Sequence, residues 1–258
     1  MAKKEECCKN ETPAWIPSGS KLQFEKDLSI SIYPPVGWKY VGYDIKDKLQ
    51  QVNATAISCK CTAGGGKCLP FVTTTGGGSV GCTIEDPCTS CSMIKKSINI
   101  KNTVEFKTGG YIDFTQNPDF LKKDQIIPAA FPAMFELNEV KEAIDKFVKE
   151  TYQGLPIPEF KIGDYYAVAP AGFVFAVINL FGRAVNMLVP KIAMTSGGAS
   201  GGTSSCHCTQ GECKVHKPIV WPIISCKGNC TGTCTLVTSN NIINGLRDMI
   251  YCAKFYKF

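Results

Sequence analysis

Hydrophobic positions in the first half of the chain recur with a period of two. Leu28, Ile30 and Ile32 alternate with Ser29 and Ser31, which predicts a half-buried strand. Pro34-Pro35 ends that run, and Gly37 marks a turn. Further on, Ile98, Ile100, Val104 and Phe106 lead to Gly109-Gly110 and then to Tyr111-Ile112-Asp113-Phe114. That order predicts a hairpin turning at the two glycines.

The pattern changes near Pro128. Leu137, Val140, Ile144, Phe147 and Val148 fall at helical spacing. They predict an amphipathic helix over 139–152, with Asn138 as its N-cap and Glu139 in its first turn. Residues 165–182 carry no charge. Pro170 suits the first turn of a helix, so a second helix is expected over 171–188, with Asn179, Arg183 and Asn186 as a narrow polar stripe. An arginine inside that stripe argues against a membrane span. Ile242, Ile243, Leu246, Met249 and Ile250 share a third helical face. The expected class is α+β, with a strand-rich N-terminal half and a helical C-terminal half. Residues 1–20 read as a polar arm, 21–126 as a β-rich region and 127–258 as a helical region.

Six cysteines occur twice in the same order. Cys59, Cys61, Cys68, Cys82, Cys88 and Cys91 fall in residues 57–92, and Cys206, Cys208, Cys213, Cys226, Cys230 and Cys234 in 205–235. The copies open Ser-Cys-Lys-Cys-Thr and Ser-Cys-His-Cys-Thr, and both pass through glycine-containing loops. This predicts an internal duplication of one cross-linked loop module. The matched pairs are Cys59 with Cys206, Cys61 with Cys208, Cys68 with Cys213, Cys82 with Cys226, Cys88 with Cys230 and Cys91 with Cys234. Their flanks differ, so the expectation is one unit inserted twice.

Clustered thiolates at short spacing suit tetrahedral zinc, and all twelve cysteines are candidate metal ligands. Disulfides are the alternative, because glycine-rich loops of this length cannot bury enough apolar surface to hold themselves. Six cysteines allow fifteen connectivities, and spacing does not choose among them. Cys82-x5-Cys88-x2-Cys91 resembles the ligand run of the adrenodoxin-like [2Fe–2S] ferredoxins, which implies an iron–sulfur cluster; the second copy has a different spacing. Cys206-x-Cys208-x4-Cys213 resembles the opening of the Cys-x-Cys-type zinc DNA-binding repeats. His207, between Cys206 and Cys208, is matched by Lys60 in the first copy.

Composition sets the remaining bounds. The 258 residues include 15 cysteines, an odd number that cannot all pair within one chain, and a net charge of +6. The basic residues are dispersed, so nucleic acid is not an expected partner. No apolar stretch follows the charged N-terminus, which predicts synthesis in the cytoplasm. Hydrolase, Walker and zinc-protease motifs are lacking. The expected function is non-enzymatic: a structural or assembly protein whose two stapled modules present surfaces to protein partners or to other copies, as in a subunit of a larger particle. The alternative is an electron-transfer or thiol-redox protein with Fe–S clusters or reactive cysteines.

Overall fold

The computed structural model describes residues 14–73, 78–98, 103–122, 125, 127–158, 166–194, 203–208, 212–216, 223–227 and 234–238. The chain divides into two compact units. The first comprises residues 1–115 and 131–136, the second 116–130 and 137–258.

The first unit is built from β1 (Ala14–Trp15), β2 (Lys21–Phe24), β3 (Ile30–Tyr33), β4 (Trp38–Asp44), β5 (Leu49–Val52), β6 (Thr55–Ala63), β7 (Lys67–Thr73), β8 (Ser79–Glu85), β9 (Ser90–Ser97) and β10 (Glu105–Asp113). One sheet has the order β2-β3-β6-β9-β10-β4-β5, the other β1-β8-β7. The predicted strand is β3, where Ile30 and Ile32 are fully buried. Each contributes about 1.5–3 kcal/mol by leaving water. Leu28 lies outside the strand, at a positive φ of 65° and exposed.

The core joins these two isoleucines to Tyr40, Ile57, Val80, Phe106 and Tyr111. The Tyr40 ring meets Phe106 and Tyr111 edge-on, with centroids 4.8 and 5.2 Å apart. The buried Tyr111 hydroxyl is 2.6 Å from the Thr55 hydroxyl. The hairpin expected at Gly109-Gly110 does not form there. β10 runs straight through both glycines, and Gly109 lies opposite Gly42 on β4. A Cβ on Gly109 would sit 2.4 Å from the Val41 carbonyl oxygen, and one on Gly42 would sit 2.2 Å from the Thr108 oxygen. These glycines permit a close strand approach, which residue type alone cannot tell from a turn.

The second unit contains β11 (Asp119–Phe120), α1 (Asn138–Tyr152), β12 (Tyr166–Val168), β13 (Phe173–Leu180), β14 (Arg183–Pro190), β15 (Thr203–Cys208), β16 (Lys214–His216), β17 (Ile223–Lys227) and β18 (Cys234–Thr238). Its sheets have the orders β11-β13-β14-β17-β16 and β12-β15-β18. The expected helical half is therefore overturned. Both units are strand-dominated, and α1 is the one α-helix among the described residues.

Helix α1 buries Val140, Ile144 and Phe147, as the spacing predicts. Its N-cap is Leu137, without a side-chain cap hydrogen bond, rather than Asn138. Gln153 closes the helix in the left-handed region, its N–H donating to the Lys149 carbonyl at 3.2 Å. The Tyr152 hydroxyl donates to the Leu188 carbonyl oxygen at 2.7 Å, tying the helix to β14.

Residues expected as the second helix form the β13–β14 hairpin. Phe181 and Gly182 both take positive φ, 53° and 75°. They sit between Leu180 and Arg183, which pair directly, the arrangement of a two-residue hairpin turn. The Gly182 N–H donates to Asn179 Oδ1 at 2.9 Å. Most of this hairpin is buried, so the apolar residues show no alternation to mark a strand. The polar stripe dissolves: by strand alternation Arg183 lies on the opposite face from Asn179 and Asn186. Arg183 is buried, with Nη1 3.5 Å from the Ala129 carbonyl oxygen. Among the described residues no helix is long and apolar enough to cross a membrane. The helix expected over 242–250 lies outside the described residues, as do residues 1–13 of the polar arm.

Candidate functional site

The cysteine modules occupy corresponding positions in the two units. Across β6 and β9, Cys59 lies opposite Met93 and Cys61 opposite Cys91. Across β15 and β18, Cys206 lies opposite Leu236 and Cys208 opposite Cys234. The second ladder repeats the offset. Pro70 of β7, two residues past Cys68, opposes Cys82 of β8. Val215 of β16, two residues past Cys213, opposes Cys226 of β17.

The correspondence reaches past the cysteines. β3 pairs with β6 through Ile30–Ile57 and Ser31–Ala56, and β12 pairs with β15 through Ala167–Ser204 and Val168–Thr203. Counted from Cys59 and Cys206, these are the same positions. On the other sheet, β1 meets β8 at Ala14–Val80 and Trp15–Ser79. β14 meets β17 at Asn186–Ile224 and Met187–Ile223, again the same positions. The segments filling that place differ. In the first unit it is a two-residue strand, in the second one arm of a long hairpin.

The sulfurs are bonded to each other. Cys59 pairs with Cys82, Cys61 with Cys88 and Cys68 with Cys91. In sequence order the connectivity is first to fourth, second to fifth and third to sixth. Their Cα–Cα distances of 5.8, 5.9 and 5.9 Å fall in the usual disulfide range. In the second module Cys206 pairs with Cys226, the counterpart of Cys59–Cys82, and Cys213 is disulfide-bonded as well. These cysteines were candidate zinc ligands, and Cys82, Cys88 and Cys91 a candidate Fe–S run. In this state their sulfurs form bridges and are not free thiolates. Cys208 and Cys234 face each other through the backbone of β15 and β18, and Cys230 lies outside the described residues. His207 is exposed.

Glycine brings the first module together. Gly64 and Gly65 take φ of 90° and 77° in the β6–β7 turn. A Cβ on Gly64 would meet the Pro87 carbonyl oxygen at 2.1 Å, and one on Gly66 the Cys88 nitrogen at 2.3 Å. The turn is thus packed against the segment leading to Cys88, and Thr89 N–H donates to the Ala63 carbonyl at 2.8 Å. Four of the six sulfurs' residues, Cys68, Cys82, Cys88 and Cys91, are buried in a cluster of their own, while Cys59 and Cys61 pack against it half-exposed. Two bridges touch: Cys68 Sγ lies 3.4 Å from Cys88 Sγ. The Sγ atoms of Cys61, Cys68 and Cys88 all lie within 4.8 Å of one another.

Sequence reasoning missed two polar features. Asp44 organises the β4–β5 turn. Its Oδ1 accepts from Lys46 N at 2.8 Å and Lys48 N at 3.0 Å, and its Oδ2 accepts from Gln50 Nε2 at 3.0 Å. These bonds, that from Lys48 first, hold its carboxyl below the usual aspartate range. In the second unit Gln116, Asn117, Asp119, Lys122 and Asn179 line an open hollow, where Asn179 Nδ2 donates to Gln116 Oε1 at 3.0 Å. The Asx-turn chemistry of Asp44-x-x-x-Lys48 was a usable signal. The hollow gathers residues of β11, β13 and the neighbouring loops that no motif connects.

No protein-family model, curated protein or solved structure matches the chain.

Proposed function

We propose that the chain is a non-enzymatic binding or assembly protein that works in an oxidising environment, with two duplicated, disulfide-stapled modules holding loops for a protein partner or another copy. The carrying observation is the interlocked set Cys59–Cys82, Cys61–Cys88 and Cys68–Cys91. Disulfides persist where glutathione does not reduce them. Each bridge spans 23 to 27 residues, and such a loop taken singly stabilises by about 3–4 kcal/mol in the chain-entropy model. That is enough to order glycine-rich loops that bury little apolar surface. The repeated ladder registers support reading the modules as two copies of one device. Zinc belongs to this reading only for sulfurs that have been reduced.

Two measurements test the proposal. Thiol counting on native protein, with peptide mapping without reductant, should return the four bridges Cys59–Cys82, Cys61–Cys88, Cys68–Cys91 and Cys206–Cys226. The shared framework adds Cys208–Cys230 and Cys213–Cys234 as the expected remainder. Free thiols at most of these positions would sink the stapled reading. Light scattering over a wide concentration range should show self-association that reduction abolishes. A monomer at every concentration, unchanged by reductant, removes the self-assembly half and leaves a heterologous partner.

A further inference from the structure

We infer that Cys61, Cys68, Cys88 and Cys91 form a single binding site for a thiophilic divalent cation once their two bridges are reduced, with Cys59 and Cys82 outside it. This deepens the reading above, because it rests on the stapled module as the resting state.

Four separate segments deliver these sulfurs to one place. Cys61 comes from β6, Cys68 from β7, Cys88 from the segment between β8 and β9, and Cys91 from β9. Three of the sulfurs already lie within 4.8 Å of one another. The fourth, on Cys91, is bonded to Cys68, and Cys91 stands directly opposite Cys61 on the ladder. The set closes on itself: Cys61 is bonded to Cys88, Cys88 touches Cys68 at 3.4 Å, and Cys68 is bonded to Cys91. Four thiolates around a tetrahedral ion at Zn–S distances of about 2.3 Å lie roughly 3.8 Å apart. The two bonded pairs must open to reach that spacing, while Cys68 and Cys88, at 3.4 Å, are already close to it. Three of the four residues are buried, Cys88 to 3% exposure, so water competes poorly for the ion.

The chemistry balances with a dithiol as the reductant. Each bridge takes two electrons and two protons from one dithiol, which closes to a cyclic disulfide, so two dithiols yield four thiols. Binding of a divalent ion then releases four protons and leaves a tetrathiolate complex. Carbonyl oxygens lie close to two of the sulfurs, Ala63 O at 3.0 Å from Cys61 and Ser90 O at 3.1 Å from Cys88. In the reduced state each is a candidate acceptor for the thiol S–H. The ion therefore has to displace protons, and affinity should rise steeply with pH.

The test uses the full chain. Its native thiols are counted first, which checks the stapled reading separately. The protein is then reduced anaerobically with a phosphine and titrated with Cd2+, following thiolate-to-cadmium charge-transfer absorption and the circular dichroism of the sheets. Both modules contribute to the wild-type signal, so variants assign the site. Cys68→Ser/Cys88→Ser should lose one ion equivalent, or lower its affinity by more than the roughly 10–100-fold that changes around the ligands cost. Cys59→Ser/Cys82→Ser should keep that equivalent. Equal stoichiometry and affinity in wild type and Cys68→Ser/Cys88→Ser overturns the inference, as does loss of the ion in Cys59→Ser/Cys82→Ser. If reduction unfolds the wild type, Cd2+ should restore the sheet spectrum; an ion that binds while the chain stays unfolded also overturns it.

Discussion

The two modules share their ladder registers but differ in what their sulfurs pack against. In the first unit, Cys68, Cys82, Cys88 and Cys91 gather with one another in a cluster that meets the aliphatic and aromatic core of Ile30, Ile32, Tyr40 and Tyr111 through Met93. In the second, Cys206, Cys213 and Cys226 sit within one core with Phe175, Leu188, Val215 and Ile224. The cause lies in the neighbouring strand. Where the first unit lays the two-residue β1 beside β8, the second lays β14 of a long hairpin beside β17 and so brings large apolar side chains to the sulfurs. The described sulfurs thus cluster mainly with one another in one unit and lie within the apolar core in the other.

The sharpest way to break that contrast is Phe175→Ala. The ring is almost wholly buried, so truncation should cost about 3–5 kcal/mol in chemical denaturation. It should also speed reduction of Cys206–Cys226 while leaving the rate for Cys68–Cys91 unchanged. Equal acceleration of both would show that the two sulfur environments are not independent. A middle-sized effect is expected from Tyr111→Phe in the first unit. It leaves the buried Thr55 hydroxyl without that partner, which costs about 1–3 kcal/mol. All three bridges of the first module should survive it under mapping, because none of their cysteines belongs to the Tyr111 core cluster.

The smallest effect is expected at Asp44. Its folded pKa is lowered, so its contribution is present above the ordinary aspartate range and lost as pH falls through the folded value. Asp44→Ala should lower the thermal midpoint by a few degrees near neutrality. The gap from wild type should close as pH falls below that lowered folded value. A gap that persists in acid would mean that the turn depends on side-chain packing rather than on the carboxylate.

What could be read from the sequence was periodicity with a clear polar face. Helix α1 was legible because Lys141, Glu142 and Asp145 separate its apolar positions, and β3 because serines separate its isoleucines. The β13–β14 hairpin was not, since a segment buried on both faces shows no alternation and its length suits a helix. Phe181-Gly182 was the one local hint of a turn. The cysteine framework was visible from spacing, but the choice between metal and disulfide was not, because both use the same sulfurs at short range. The shared place of β3 and β12 left no trace either. Ladder position is set by backbone hydrogen bonds, and Ile30-Ser31 and Ala167-Val168 have no side chains in common.

The crossed order of the first module's bridges has a consequence for a chain exposed to proteases. Every peptide bond between Cys59 and Cys91 is spanned by at least one of the three bridges. A single nick anywhere in that stretch, including at the exposed Gly64-Gly65 or Glu85-Asp86, cannot release a fragment. The cleaved molecule keeps its mass plus one water and runs as two pieces only after reduction. The first module thus stays covalently joined after any single cut in that stretch.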